Sequence, residues 1–211
     1  RLLRAFFVLP HDAAQRIGAN VQLVRAGALY HDIGKLANPA FFTENQHGVN
    51  PHDALPPERS ASIVVNHVAD GLKLADKAGL PAVIQSFIRE HHGAGMAKYF
   101  YITYCNNHPG EEVDKTPFEY PGPNPQSRET SVLMMADSVE AASRSLKEHT
   151  REAITGLVNK IVDSQIADGL HNESTLSFRD VAMIKEAFIK RLMTIYHSRI
   201  AYPPSSKENP A

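Results

Sequence analysis

The run Asn20-Val21-Gln22-Leu23-Val24-Arg25-Ala26-Gly27-Ala28-Leu29-Tyr30-His31-Asp32-Ile33-Gly34-Lys35 decides how this chain is read. Asn20 is a natural helix cap. Val21, Leu23, Val24, Ala28 and Leu29 then recur at helical spacing. This apolar helix leads straight into His31-Asp32, with Gly34 near its end. An adjacent imidazole and carboxylate at the end of a core helix is a pattern that packing alone does not require.

Further helices follow on both sides of this reading. One is expected from Pro57 and Glu58 to Lys77, on Ile63, Val64, Val68, Leu72 and Ala75. Gly79 is its stop and Pro81 a new start. The next helix carries Val83, Ile84, Phe87 and Ile88 and meets His91-His92-Gly93. Residues 98–105 are ambiguous, with the composition of a strand in a helical setting. Asn124-Pro125 reads as a cap and first-turn proline for a helix holding Val132, Leu133, Met135, Ala136, Val139, Ala142 and Leu146. Two more amphipathic helices fit 150–168 and 177–200. The expected fold is all-α, a helical bundle over residues 1–203 with a metal centre between helices and a flexible tail over 204–211. Long loops near 36–56 and 106–123 interrupt it, and loops of such length in a compact domain are usually functional or disordered. No internal repeat is present.

Composition narrows the function classes. The chain has 211 residues, enough for one domain with a sizeable core and short for two. Its net charge of -1 gives no general field for a nucleic-acid polymer or an anionic membrane. Cys105 is the single cysteine, so an internal disulfide and a cysteine zinc site are excluded. A lone thiol fits a reducing compartment and reads as a small apolar residue. No run of about 18 apolar residues occurs, so no spanning helix is expected. The segment Arg1–Pro10 is also too short for one and lacks a signal-cleavage site. The chain does not begin with Met and reads as excised from a longer protein.

Four of the eleven histidines combine with aspartates. His31-Asp32 and His91-His92 are pairs at helix ends, His67 lies mid-helix, and Asp137 interrupts the apolar stretch Met134-Met135-Ala136. A carboxylate placed there needs a partner, because burying it alone is costly. Imidazole nitrogen with carboxylate oxygen suits Mn²⁺, Fe²⁺ or Zn²⁺. Adjacent ligands such as His31 and Asp32 can serve two neighbouring metals. Two metals about 3.5–4 Å apart clamp a phosphate and acidify a bridging water toward hydroxide for in-line attack.

His31-Asp32-Ile33-Gly34-Lys35 is the signature of the HD phosphohydrolases. The flanking blocks are more specific. They are Gly27-Ala28-Leu29-Tyr30, Phe42-Thr43-Glu44-Asn45-Gln46, Asn50-Pro51-His52-Asp53, His91-His92-Gly93, Tyr99-Phe100-Tyr101, Tyr120-Pro121-Gly122-Pro123 and Ala136-Asp137-Ser138-Val139-Glu140-Ala141-Ala142. Together they resemble the cytoplasmic HD domain of bacterial seven-transmembrane HD receptors, from about residue 13 to about 203. That family's best-known activity is hydrolysis of cyclic di-AMP to linear pApA at a two-metal iron or manganese centre. The resemblance implies metal ligation by His31, Asp32, His67, His91, His92 and Asp137, with Asp32 as the bridging carboxylate. It implies that Lys35 neutralises phosphate charge, and that the chain is the cytoplasmic domain of a bacterial inner-membrane protein. There is one departure. The family's further ligand histidine, one helix earlier, aligns with Leu2; His11 is nearby in a different register.

Each residue has a blander reading. Lys35 can be a solvated charge at a helix end. Glu140 and Arg144 can pair on a helix face, although Arg144 shares a side with Asp137 and can also reach a phosphate. Tyr99, Tyr101 and Tyr120 can be core or loop anchors, or can stack on adenine. His47 and His52 read as loop histidines, with a lid role as the sharper option. His108, His149, His171 and His197 read as surface or helix-end residues. Two other functions remain. A cyclic di-GMP phosphodiesterase of the HD-GYP group would carry Gly-Tyr-Pro soon after the paired histidines, where this chain has Gly93-Ala94-Gly95-Met96. A sensor that binds a nucleotide without turning it over fits the missing first histidine.

Overall fold

The computed structural model describes residues 2–46 and 48–197, with side chains over 8–46 and 48–196. The tail, His47 and the side chains of Leu2 and His197 lie outside the described residues. Among the described residues there are eight α-helices: α1 Leu2–Ile17, α2 Val21–Tyr30, α3 Pro57–Lys77, α4 Ala82–Glu90, α5 Lys98–Asn107, α6 Arg128–Ser143, α7 Arg151–Ala167 and α8 Phe178–His197. Short 3₁₀ turns fill the two long connections. The fold is all-helical, and a single isolated bridge, Met96 to Glu119, is the only β pairing among the described residues.

α6 is the axle. Val132, Leu133, Met135, Ala136 and Val139 are buried, and so are Thr130, Ser131, Glu140 and Ser143 around the same helix. A helix buried nearly all round belongs at the centre of a bundle. Leu9, Ala13, Ala14 and Ile17 of α1, Ile154, Val158 and Val162 of α7, and Ile184, Phe188 and Leu192 of α8 close one side of it. α2 and α4 lie on another side, with Val24, Ala28 and Phe87 in the same core. α3 and α5 pack outside them.

Local chemistry sets the helix ends. Asn20 caps α2 as expected, accepting from Leu23 N at 3.1 Å. α6 corrects the expected start. Its cap is Ser127, in a reciprocal box with Thr130, and not Asn124. The Ser127 hydroxyl accepts from Thr130 N and the Thr130 hydroxyl from Ser127 N, which satisfies two helix-end groups and frees Asn124 for other work. Residues 98–107 form a helix. Tertiary setting prevails over composition there, because Tyr101 and Tyr104 pack edge-on against the buried ring of Phe118.

The His31-Asp32 turn is brought to α3 by a backbone crossing. Gly34, in the 3₁₀ turn Ile33–Ala37, lies so close to α3 that a Cβ on it would stand 1.8 Å from His67 O and 2.5 Å from Gly71 N. Gly71 is the matching small residue, with Gly34 N 3.2 Å from where its Cβ would be. No side chain can relax away from a backbone carbonyl, so the crossing requires glycine. Gly34→Ala is expected to cost at least about 3 kcal/mol, a fall of roughly 6–12 °C in the melting midpoint. Circular dichroism melts of metal-free protein check this, and a midpoint within 2 °C of wild type (about the effect of 1 kcal/mol) would show that the crossing is loose.

Candidate metal centre

Four segments deliver the centre. His31 caps the C-terminus of α2, with Asp32 next to it. His67 comes from the buried face of α3, His91 and His92 from the end of α4, and Asp137 from the middle of α6. His67, His91 and His92 each offer a ligand atom within 4.8 Å of the others, and so do His31, Asp32 and His91. Asp137 Oδ1 stands 3.9 Å from His31 Nε2. Five of the six predicted ligands thus form two groups that share His91, and Asp137 joins them beside His31.

Three imidazoles are oriented in the same way. His31, His67 and His91 each turn Nδ1 toward the carbonyl three residues earlier, on Ala28, Val64 and Ile88. A ring nitrogen facing a carbonyl must carry the proton, so Nε2 is left to face the centre. His67 Nε2 and His91 Nε2 then stand 3.0 Å apart. With both Nδ1 atoms donating, two lone pairs face each other across that gap. A cation between them turns this repulsion into ligation, so the residues fit a metal ion. The mixed nitrogen and oxygen donor set fits a divalent transition metal.

The electrostatics agree. Burial, reinforced by His31 and His67, pushes His91 down to about 3. Burial also lowers His67, and it lowers His92 strongly, helped by His91 and His67. Neutral imidazole is the ligating form. His31 differs. Burial opposes its charge, but Asp32, with Oδ2 at 3.0 Å, and Asp137 outweigh burial and raise it from 6.5 to about 10. Despite burial, the His31 charge holds Asp32 well below its ordinary range, and a hydrogen bond from His31 lowers Asp137. A proton on His31 thus occupies, in the metal-free protein, the electrostatic role of a cation.

The two long connections form the walls. Lys35 Nζ lies 2.8 Å from Asp32 Oδ2 and 2.7 Å from Glu44 Oε1. Phe42 is buried, with Lys35 over its ring at 5.2 Å and its edge toward His67 at 5.7 Å. On the other side, Tyr120 N donates to Gly95 O and Ala97 N to Phe118 O, both at 2.8 Å. That pairing lays the Tyr120 ring flat on His92 at 4.1 Å. Asn124 Oδ1 accepts from Ala94 N at 2.9 Å, and buried Glu90 accepts from Gln126 N at 3.0 Å. The 124–126 segment therefore clamps the His91-His92 turn from both ends.

Other candidates lie elsewhere. Tyr99 is 75% exposed and meets Phe100. Arg144 makes two bonds to buried Glu140, at 3.0 and 2.6 Å. Its pKa is raised by Glu140 against burial, and also by the charges of Glu44 and Asp137. His11 pairs with Asp12, which is held by Arg191 of α8, away from the six ligands. His52 is not a solvated loop histidine. It bonds Phe41 O at 2.9 Å and packs on Phe41 and Phe100, pinning the first loop. His171 is not a surface residue either: it is buried against Gln165, which in turn donates to Ser138. Glu44 and Phe42 receive no individual role from sequence, and Asn124 reads only as a helix cap, because no periodicity links them to the ligands.

Residues 7–142 match the HD domain family. The chain belongs to the HD-domain family. It is 38% identical over 201 residues to the cyclic-di-AMP phosphodiesterase PgpH of Bacillus subtilis, covering 95% of this chain and 28% of that protein. It is 39% identical to PgpH of Listeria monocytogenes, over 92% of this chain and 27% of that one. The chain thus spans about a quarter of the curated relatives it matches. The crystal structure of the L. monocytogenes PgpH HD domain in complex with cyclic-di-AMP superposes with a TM-score of 0.87 at 38% identity, covering 94% of this chain and 92% of that one. This HD domain has no described helix long and apolar enough to cross a membrane.

Two predictions follow from the centre. His31 holds a proton below about 10 in the metal-free protein, and a metal ion must displace it. Loading at pH 7–8 should release about one proton, and apparent affinity should rise about tenfold per pH unit over this range. Titration calorimetry in buffers of different ionisation enthalpy measures this; a pH-independent affinity would show His31 already neutral. Asn124→Ala removes the clamp on the His91-His92 turn. It should cost about 1–2 kcal/mol of stability and about tenfold in metal affinity, read by melts and competition with a metallochromic chelator.

Proposed function

We propose that this HD domain is a phosphodiesterase that hydrolyses cyclic di-AMP to linear pApA with two divalent ions, iron or manganese. The observation that carries it is the pair of three-ligand groups sharing His91, beside an ammonium that suits a phosphate. Similarity to cyclic-di-AMP phosphodiesterases, and to an HD domain in complex with cyclic-di-AMP, supports the substrate. The relatives' greater length supports a place as one domain of a longer protein, and its membrane anchoring, with this domain on the cytoplasmic side of a bacterial inner membrane, rests on the resemblance described above.

His31, Asp32 and Asp137 would hold one ion and His67, His91 and His92 the other, with Asp32 able to reach both. Asp32 Oδ1 lies 3.4 Å from His67 Nε2 and 3.7 Å from His91 Nε2, while Oδ2 lies by His31. Bound ions supply Lewis-acid polarisation of the phosphate and acidify water. The chain's own residues do the rest. Lys35 has three N–H donors, and Asp32 and Glu44 take two. The third remains for a non-bridging phosphate oxygen. Burial, then Asp137 and Asp32, raise the Tyr120 phenol, so it stays a neutral donor and wall. Water oxygen adds to phosphorus, the bond to one 3′ oxygen breaks, and the proton passes to that oxygen. One cut leaves a 5′-phosphate and a 3′-hydroxyl. Arg144, paired with Glu140, and the exposed Tyr99 are candidates for the second phosphate and a base.

A sensor that binds without hydrolysis is the second reading. His11 is the one histidine in the α1 sequence, and it is turned to Asp12. Both readings meet one assay. Protein loaded anaerobically with Mn²⁺ or Fe²⁺ is given cyclic di-AMP and cyclic di-GMP, and products are separated by chromatography. Rapid pApA formation is expected, with Asp32→Ala lowering it by at least about a hundredfold. Tight binding of cyclic di-AMP without product, at confirmed metal content, would establish the sensor instead.

A further inference from the structure

Glu44 is an acidic residue at the centre that is not among the six ligands. It lies in the short turn Thr43–Asn45 of the first long connection. Its Oε1 is 2.7 Å from Lys35 Nζ, while Oε2 accepts from Thr43 Oγ1 at 3.4 Å. The turn is held in place by buried Phe42, packed beneath Lys35 and against His67, and by His52, which ties Phe41 to the rest of the loop. Glu44 is also the more exposed of the two carboxylates on Lys35, at 38% against 27% for Asp32. Arg144 is near enough to feel its charge.

A carboxylate in this position has a definite effect on phosphate. Oxygens bound to one ammonium are close neighbours, so a phosphate on the third N–H of Lys35 sits beside the Glu44 carboxylate. Repulsion between them scales with the charge on the phosphate. A phosphodiester carries one negative charge, whereas a phosphomonoester carries nearly two above its second pKa of about 6. We propose that Glu44 is a charge filter: it disfavours the dianionic monoester more than the monoanionic diester, and so determines diester specificity and favours release of the new 5′-phosphate. This rests on the phosphodiesterase reading above. It assigns Glu44 a role in specificity, acting through charge beside Lys35 and not through the ions.

The test uses the Mn²⁺-loaded domain at pH 8 with bis(p-nitrophenyl) phosphate as diester and p-nitrophenyl phosphate as monoester. A penalty proportional to substrate charge is squared for the dianion. Glu44→Gln, which keeps size and removes charge, should therefore raise kcat/KM about threefold for the diester and about tenfold for the monoester, and tighten inhibition by pApA. Glu44→Asp keeps the charge and should keep the wild-type diester-to-monoester ratio, whatever its overall rate. A parallel fall for both substrates in Glu44→Gln would show that Glu44 only holds Lys35 in place, and an unchanged ratio would equally remove the filter. Either result, with wild-type diester turnover intact, sinks the filter alone. Absence of diester turnover in metal-loaded wild type would remove the phosphodiesterase reading and the filter with it.

Discussion

Two imidazole lone pairs, on His67 and His91, are held 3.0 Å apart in the interior with no proton between them. Nothing in the apolar packing requires that arrangement, and low local polarity makes it more costly. It persists because each ring is fixed from behind by its bond to the carbonyl three residues earlier. The same device orients His31. At the ends of α2 and α4 it uses carbonyls of the last helical turn, part of the set that a helix leaves without an intrahelical donor. Helix termination, tautomer choice and ligand orientation are thus one event at His31 and His91. The bundle then has only to bring these helix ends to α3 and α6.

That convergence concentrates constraint in the backbone. Gly34 against His67 O sets the distance between the His31-Asp32 turn and α3. Asn124 and Glu90 set the turn that carries His91 and His92. Tyr120 closes over His92 and Phe42 over His67. The long connections are ordered where they meet the centre, by bonds to its residues or to the turns that carry them, and this explains why a compact domain keeps connections of such length. Their composition is mixed because one side faces a polar cluster and the other faces water.

Much of this was legible in the sequence because ligand residues break the apolar pattern. His31-Asp32, His91-His92 and Asp137 stand where helical spacing calls for apolar or terminal residues, and the structure gathers all six predicted ligands. The supporting residues were not legible. Asn124 followed by proline has the grammar of a cap, but Ser127 and Thr130 satisfy the helix end better, and that competition is decided by bonds to Ala94 far along the chain. His52 and His171 look solvated because their neighbours in sequence are polar, whereas their neighbours in space are Phe41 and Phe100, and Gln165. Residues 98–107 carry the aromatic content of a strand, and their helix is explained by the ring of Phe118 beneath it. Local propensity is a weak guide wherever long-range packing supplies the partner.

The metal-free centre also shows how charge is balanced before any ion enters. Asp32 is bonded at once to the protonated His31 and to Lys35, and its Oδ1 lies within 4 Å of His67 and His91. Under the two-ion reading proposed above, a divalent ion in place of the His31 proton would add positive charge where Asp32 and Asp137 converge and would compete with Lys35 for Asp32. Under that reading, the shared carboxylate of Asp32 would couple the buried histidines to the half-buried Lys35. A single aspartate meets both the helix-ending histidine and Lys35, and this gives a physical reason for His31 and Asp32 to be adjacent in the chain.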